Sequence, residues 1–91
     1  MPTTLIDSAE IRQSRILIID DEHANVLLLA NVLEREGYGD IHTVTDPAEA
    51  LEAYVRLQPD LVLLDLMMPE VDGFQLLEAF KRHDRADEFR P

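Results

Sequence analysis

Ninety-one residues with 46% hydrophobic content suffice for one small core, so a single domain is expected. The net charge of -11, from 19 acidic against 8 basic residues, disfavours nucleic acid or an anionic membrane as a direct partner and favours cations and basic protein surfaces. The lack of cysteine excludes a disulfide scaffold and a thiolate zinc site, and no apolar run approaches the roughly 18 residues of a membrane span, so a cytoplasmic chain is expected.

Residues 1–14, MPTTLIDSAEIRQS, have neither the basic start nor the apolar centre of a signal segment and read as a short, partly ordered N-terminal arm. Arg15 to Ile19 (RILII) is apolar after its arginine and rich in isoleucine, as expected of a strand covered on both faces. It ends abruptly in Asp20, Asp21 and Glu22. From about His23 to Glu36, Val26, Leu29, Ala30 and Leu33 recur at helical spacing, Leu28 and Val32 widen the stripe, and Gly37 supplies a stop. Asp40 to Thr45 alternates in the manner of an exposed edge strand. Asp46, Pro47 and Glu49 then mark a helix start, and that helix is expected to carry Leu51, Tyr54 and Val55 inward. Pro59 and Asp60 close its exit loop, and Leu61 to Leu64 forms another wholly apolar strand. Beyond a loop containing Pro69 and Gly73, a third helix presents Phe74, Leu77 and Phe80.

Strand and helix alternate three times, which implies an α/β fold: parallel strands, right-handed crossovers and helices on both faces. The first and third strands are the most apolar and should be neighbours, giving the order 2-1-3 with a reversal of winding between them. Ligands bind at such a point, outside the carboxyl ends of the strands. Asp20 and Asp21 close the first strand and Asp65 closes the third, so residues 44 or more apart in sequence should meet in one acidic hollow. Two carboxylates about 5 Å apart repel by roughly 3 kcal/mol at an effective dielectric of about 20. A divalent cation with oxygen ligands removes that conflict. Magnesium suits, because it accepts one or two carboxylates plus waters and brings phosphate oxygens into the same shell. Asp65 is then placed to act as a nucleophile.

The stretches IIDDEHANVLLLANVLEREGY and PDLVLLDLMMPEVDGFQLL resemble the receiver domain of bacterial two-component response regulators. The likeness runs from Arg15 to Pro91 and rests on the acidic pair after strand one, the single aspartate after strand three, and the MMP and DG elements beyond it. It implies a flavodoxin-like, doubly wound parallel sheet. It also implies that Asp65 accepts a phosphoryl group from a histidine kinase or phosphotransfer protein. Asp21 and Asp65 would hold Mg2+ directly and Asp20 through water, the backbone carbonyl of Met67 completing the protein's share. Pro69 and Gly73 would shape the loop.

Receivers have five strands, and this sequence reaches Pro91 after three. The family's hydroxyl residue after strand four, its lysine after strand five and its aromatic switch residue have no counterpart here, and Lys81 on the third helix is no substitute. Residues 15–91 are therefore expected to be the N-terminal portion of a receiver, a fragment of a longer regulator rather than a naturally short product. A small phosphodonor is expected to modify Asp65 slowly, and the open edge of strand three is expected to invite self-association.

Other readings bear on the same residues. In isolation Asp20 and Asp21 would be helix caps and Asp65 a turn residue; together they read as a site. Met67 and Met68 read as packing residues, and His23, His42 and His83 as surface or edge residues without ligand spacing. Lys81, Arg82, Arg85 and Arg90 are interrupted by acids and read as a solvated face. An interaction module that keeps the receiver shape without being phosphorylated is the alternative function. A phosphatase with an aspartyl nucleophile is disfavoured, because those enzymes need a second aspartate at the position held by Met67.

Overall fold

A computed structural model describes residues 11–68 and 72–88, the last three of these as backbone only. The elements are β1 (Arg15–Ile19), α1 (His23–Arg35), β2 (Asp40–Val44), a 3-10 turn (Pro47–Glu49) running into α2 (Ala50–Leu57), β3 (Leu61–Leu64) and α3 (Gly73–Glu88). The sheet is parallel with β1 between its neighbours, in the order β2-β1-β3 that the sequence implies. Ile16 pairs with Ile41 on one side and Leu61 on the other, and Ile19 with Val44 and Leu64.

The four aliphatic residues Ile16, Leu17, Ile18 and Ile19 are fully buried, and each contributes roughly 1.5–3 kcal/mol by leaving water. Their side chains alternate between two cores. Leu17 and Ile19 meet Ala50, Ala53 and Leu57 of α2 and Leu76 and Phe80 of α3, with Val44 and Met68. Ile16 and Ile18 meet Val26 of α1, with Ala30, Leu33 and Leu63 packed around them. One helix thus covers one face and two cover the other. Among the described residues no helix is long and apolar enough to cross a membrane.

Helix ends follow local chemistry. Gly37 takes φ +96 and donates its N–H to the Glu34 carbonyl, while Tyr38 donates to that of Leu33, both at 3.0 Å. This paired motif needs a left-handed residue, which glycine supplies without a Cβ penalty. Arg12 lies across Gly37 and donates from Nε to the Glu36 carbonyl at 2.8 Å, so the segment before β1 touches the end of α1. Asp46 caps the 3-10 turn by accepting from the Ala48 N–H at 3.0 Å.

Several inward faces differ from the sequence reading. On α1, Leu28 and Val32 are exposed and only Val26 is fully buried. On α2, Ala50, Ala53 and Leu57 face the sheet while Leu51 and Val55 point outward, because small residues let the helix approach closely and the large ones lie off that line. On α3, Leu76 and Phe80 are buried with Gly73, and Phe74 is turned out, 60% exposed. Met68 packs in the core as expected, whereas Met67 is 87% exposed.

Polar pins hold the elements. At the amino end of the sheet, Arg15 Nε donates to Asp40 Oδ2 at 2.9 Å, its Nη1 donates to the Leu57 carbonyl at 2.7 Å, and its backbone N–H donates to Asp60 Oδ2 at 2.7 Å. His42 Nε2 lies 2.6 Å from Asp40 Oδ1. Between α2 and α3, Tyr54 stacks on Phe80 with centroids 4.1 Å apart and donates its hydroxyl to Asp84 at 2.7 Å. Burial, then the Asp84 carboxylate, push the Tyr54 phenol up to about 12.

Candidate functional site

Strand β1 delivers its last ladder bond through Asp20, whose N–H donates to the Val44 carbonyl at 3.2 Å. On the other side Asp65 donates its N–H to the Ile19 carbonyl at 2.9 Å, so the register sets Asp65 beside Asp20. Two neighbouring parallel strands, the buried β1 and the half-buried β3, end at the same level and so bring these residues together. Asp20, Asp21 and Asp65 each offer a carboxylate oxygen, and these lie within 4.8 Å of one another.

Each carboxylate is held differently. Asp20 is buried; its Oδ1 accepts from the Glu22 N–H at 3.0 Å and its Oδ2 from Asn25 Nδ2 at 3.3 Å. Asp65 is half-buried, and its Oδ1 accepts from the Met67 N–H at 2.9 Å. Asp21 is half-buried at the bend between β1 and α1. Beside them opens a hollow of about 330 Å³ lined by Asp20, Asn25, Leu29, Leu63, Leu64 and Asp65.

The loop after Asp65 is anchored by α3. Asp72 accepts from the Phe74 N–H at 2.9 Å and its carbonyl accepts from the Leu76 N–H at 3.2 Å, which caps the helix. Met67 and Asp72 form a one-residue antiparallel bridge. Gly73 is the first helical residue, and a Cβ there would lie 2.6 Å from Leu66 Cα and 2.8 Å from the Asp65 carbonyl oxygen. Glycine therefore permits the helix to start against the backbone of the aspartate itself. Pro69, the other residue assigned to shaping this loop, lies outside the described residues.

All three predicted aspartates meet, with Met67 two residues beyond. The histidines do not join them: His42 belongs to the amino-end pin and His83 lies edge-on to Tyr54. Lys81, Arg82 and Arg85 are exposed on α3, and Arg90 lies outside the described residues. The sequence reading missed Asn25, which no motif marks, and the Asp72 cap, which an aspartate directly before a helical pattern does signal.

The family model for the response regulator receiver domain matches residues 16–88. The chain belongs to the response regulator receiver domain family. The DNA-binding dual master transcriptional regulator RpaA of Synechocystis sp. is 45% identical over 71 residues, 78% of this chain and 29% of RpaA. The chemotaxis protein CheY of Bacillus subtilis is 36% identical over 70 residues, 77% of this chain and 58% of CheY. The solved receiver domain of the histidine kinase CKI1 from Arabidopsis thaliana, complexed with Mg2+ and BeF3-, has a TM-score of 0.75 at 20% identity, covering 91% of this chain and 65% of that one, a likeness of fold. In each case this receiver domain spans less than two thirds of the matched protein. Receiver domains are regulatory modules of two-component signalling, not conventional enzymes; they meet histidine kinases or phosphotransfer proteins and bind Mg2+ through an acidic pocket.

Proposed function

We propose that this domain accepts a phosphoryl group on Asp65 from a phosphohistidine of a histidine kinase or phosphotransfer protein in the cytoplasm. In this reading Mg2+ is held by Asp21 and Asp65, by Asp20 through water, and by the carbonyl of Met67. The observation that carries it is the convergence of three carboxylates within 4.8 Å at the carboxyl ends of β1 and β3. Their all-oxygen donor set fits a hard divalent cation that keeps several waters. When bound, Mg2+ would neutralise the carboxylates and the charge on the phosphoryl oxygens.

The chain's own residues position the chemistry. The Met67 N–H fixes Asp65 Oδ1, leaving Oδ2 to approach phosphorus in line with the departing imidazole nitrogen. An O–P bond forms as the P–N bond breaks, its electron pair leaving on nitrogen, and the product is an aspartyl phosphate. Asp20 already receives donors on both oxygens, which favours its contribution through water over direct ligation. Incubation with acetyl phosphate and Mg2+, followed by intact mass, tests the reading. Wild type should gain one phosphoryl group and Asp65→Asn none. Labelling that persists in Asp65→Asn, or that EDTA does not reduce, would overturn it.

A further inference from the structure

Among the described residues, Asn25 is the side chain found bonded to the acidic cluster. It sits in the first turn of α1 and donates from Nδ2 to Asp20 Oδ2 at 3.3 Å. Only its NH2 group can face a carboxylate, because an amide oxygen turned there would be repelled, so the contact fixes which way the amide lies. The other Asp20 oxygen accepts from the Glu22 N–H at 3.0 Å. That donor is backbone, set by the bend between β1 and α1, whereas the Asn25 donor can be exchanged without altering the course of the chain. Asp20 is buried while Asp21 and Asp65 are half-buried, so of the three carboxylates Asp20 loses most from an oxygen left without a partner. Asn25 itself is exposed and belongs to neither core. Its contact is with the site.

We propose that Asn25 is a positioning residue for the cation: by holding Asp20 Oδ2 it keeps that carboxylate one water away from the metal, and so selects Mg2+ over Ca2+. The inference rests on the reading of the three aspartates as a Mg2+ site. The chemistry of the two ions carries it further. Mg2+ demands near-octahedral geometry at about 2.0–2.1 Å and gives up water reluctantly, so it suits few direct carboxylates and several waters. Ca2+ takes about 6–8 oxygens at about 2.3–2.6 Å in variable geometry, and it is served by carboxylates that bind directly, through one oxygen or both. A carboxylate oxygen that accepts an amide N–H must give up a charge-assisted hydrogen bond before it ligates. With Asn25 in place, Asp20 contributes its charge and not its oxygens. Without that donor Oδ2 is released, and the site offers three direct carboxylates in place of two, the richer oxygen set that suits the larger ion. A plainer role for Asn25 is a staple between the β1–α1 bend and the start of the helix. The two roles differ in what they change: a staple acts on stability and on both ions alike, whereas a positioning residue acts on their ratio.

Separate titrations with Mg2+ and Ca2+, followed by amide-resolved NMR at Glu22 and Met67, give the dissociation constant for each ion. Asn25→Leu keeps the approximate size of the side chain and removes the donor, and it should move the preference about tenfold toward Ca2+. Asn25→Gln keeps an amide donor on a longer side chain and should hold the preference near that of wild type. Because residue 25 is exposed, the urea midpoints of all three proteins should agree closely. An unchanged ratio in Asn25→Leu, an equal loss of affinity for both ions, or an Asn25→Gln variant that behaves as Asn25→Leu would each overturn the proposal and leave the Mg2+ site standing. A wild-type protein without a saturable response to either ion would remove the site and the proposal together.

Discussion

At the amino end of the sheet Arg15 meets Asp40, Asp60 and the Leu57 carbonyl, and His42 meets Asp40. At the carboxyl end Asp20, Asp21 and Asp65 approach within 4.8 Å, and the donors found there are amides: the Glu22 and Met67 N–H groups and the Asn25 side chain. Among the described residues the Arg15–Asp40 ion pair and the His42–Asp40 contact both lie at the amino end. Like charges at that carboxyl-end spacing repel by about 3 kcal/mol at an effective dielectric of about 20. The amino-end carboxylate is thus matched by the Arg15 guanidinium, whereas the carboxylates at the carboxyl end meet no cationic side chain among the described residues, and neutralising them is the part the proposed Mg2+ would take. The carboxyl end is held in place instead by backbone contact, above all the approach of Gly73 to Leu66.

The two ends should therefore fail in different ways. The largest effect is expected from Gly73→Ala, because the new methyl would lie 2.6 Å from Leu66 Cα and 2.8 Å from the Asp65 carbonyl oxygen, neither a flexible tip. Relief requires moving α3 or the aspartate loop, a cost of about 2–3 kcal/mol read as a lower urea midpoint. The same variant should also lose Asp65 labelling by acetyl phosphate. A midpoint and labelling both equal to wild type would show that the close approach is not needed.

Arg15→Ala comes next. It leaves the Leu57 carbonyl and the Asp40 carboxylate without their cation, but the Arg15 and Asp40 side chains are 45% and 37% exposed, so solvent screening keeps the loss below that of Gly73→Ala. The Mg2+ response should be unchanged. Asp21→Asn should show the converse pattern. In Mg2+-free buffer its stability should equal or slightly exceed wild type, since a repulsion is removed. At Mg2+ about ten times the dissociation constant wild type should gain about 1.4 kcal/mol, and Asp21→Asn should lose most of that gain. Thermal unfolding with and without Mg2+ reads both variants. An Mg2+ response lost in Arg15→Ala would mean that the two ends are not independent.

These contrasts also mark what could be read before any coordinates. The three aspartates were legible because parallel strands with apolar interiors must end together, and residues placed just past those ends converge whatever the side-chain details. The order β2-β1-β3 followed from the same pattern, and the receiver family from the resemblance carried by the acidic pair, Asp65, and the MMP and DG elements. Helix faces were less legible. Leu51 and Val55 drew the reading because they are large, yet the sheet selected Ala50, Ala53 and Leu57, since the closeness of the helix matters as much as the size of a side chain. Phe74 fails for a related reason: the Asp72 cap and the Gly73 contact fix where α3 starts, and that start sets which residues turn inward. Arg15 was read only as the first residue of the first strand, and its role needs Asp40, Leu57 and Asp60 to be seen in space.

The smallest expected effect belongs to the amino end alone. The Arg15 guanidinium, and after it His42, hydrogen-bond to the Asp40 carboxylate and hold its pKa below the ordinary 3.8. A carboxyl depressed in the fold binds protons less readily than in the unfolded chain, so its contribution is complete above the unfolded value of about 3.9 and is lost as pH falls through the folded one. Asp40→Asn should therefore flatten the stability profile below about pH 4. The pair is exposed, so about 1 M salt should shrink the difference between wild type and variant. If Asp40→Asn loses stability as steeply as wild type below pH 4, the acid sensitivity lies at other carboxylates, and Arg15 acts mainly through its bond to the Leu57 carbonyl, which no proton in this range removes.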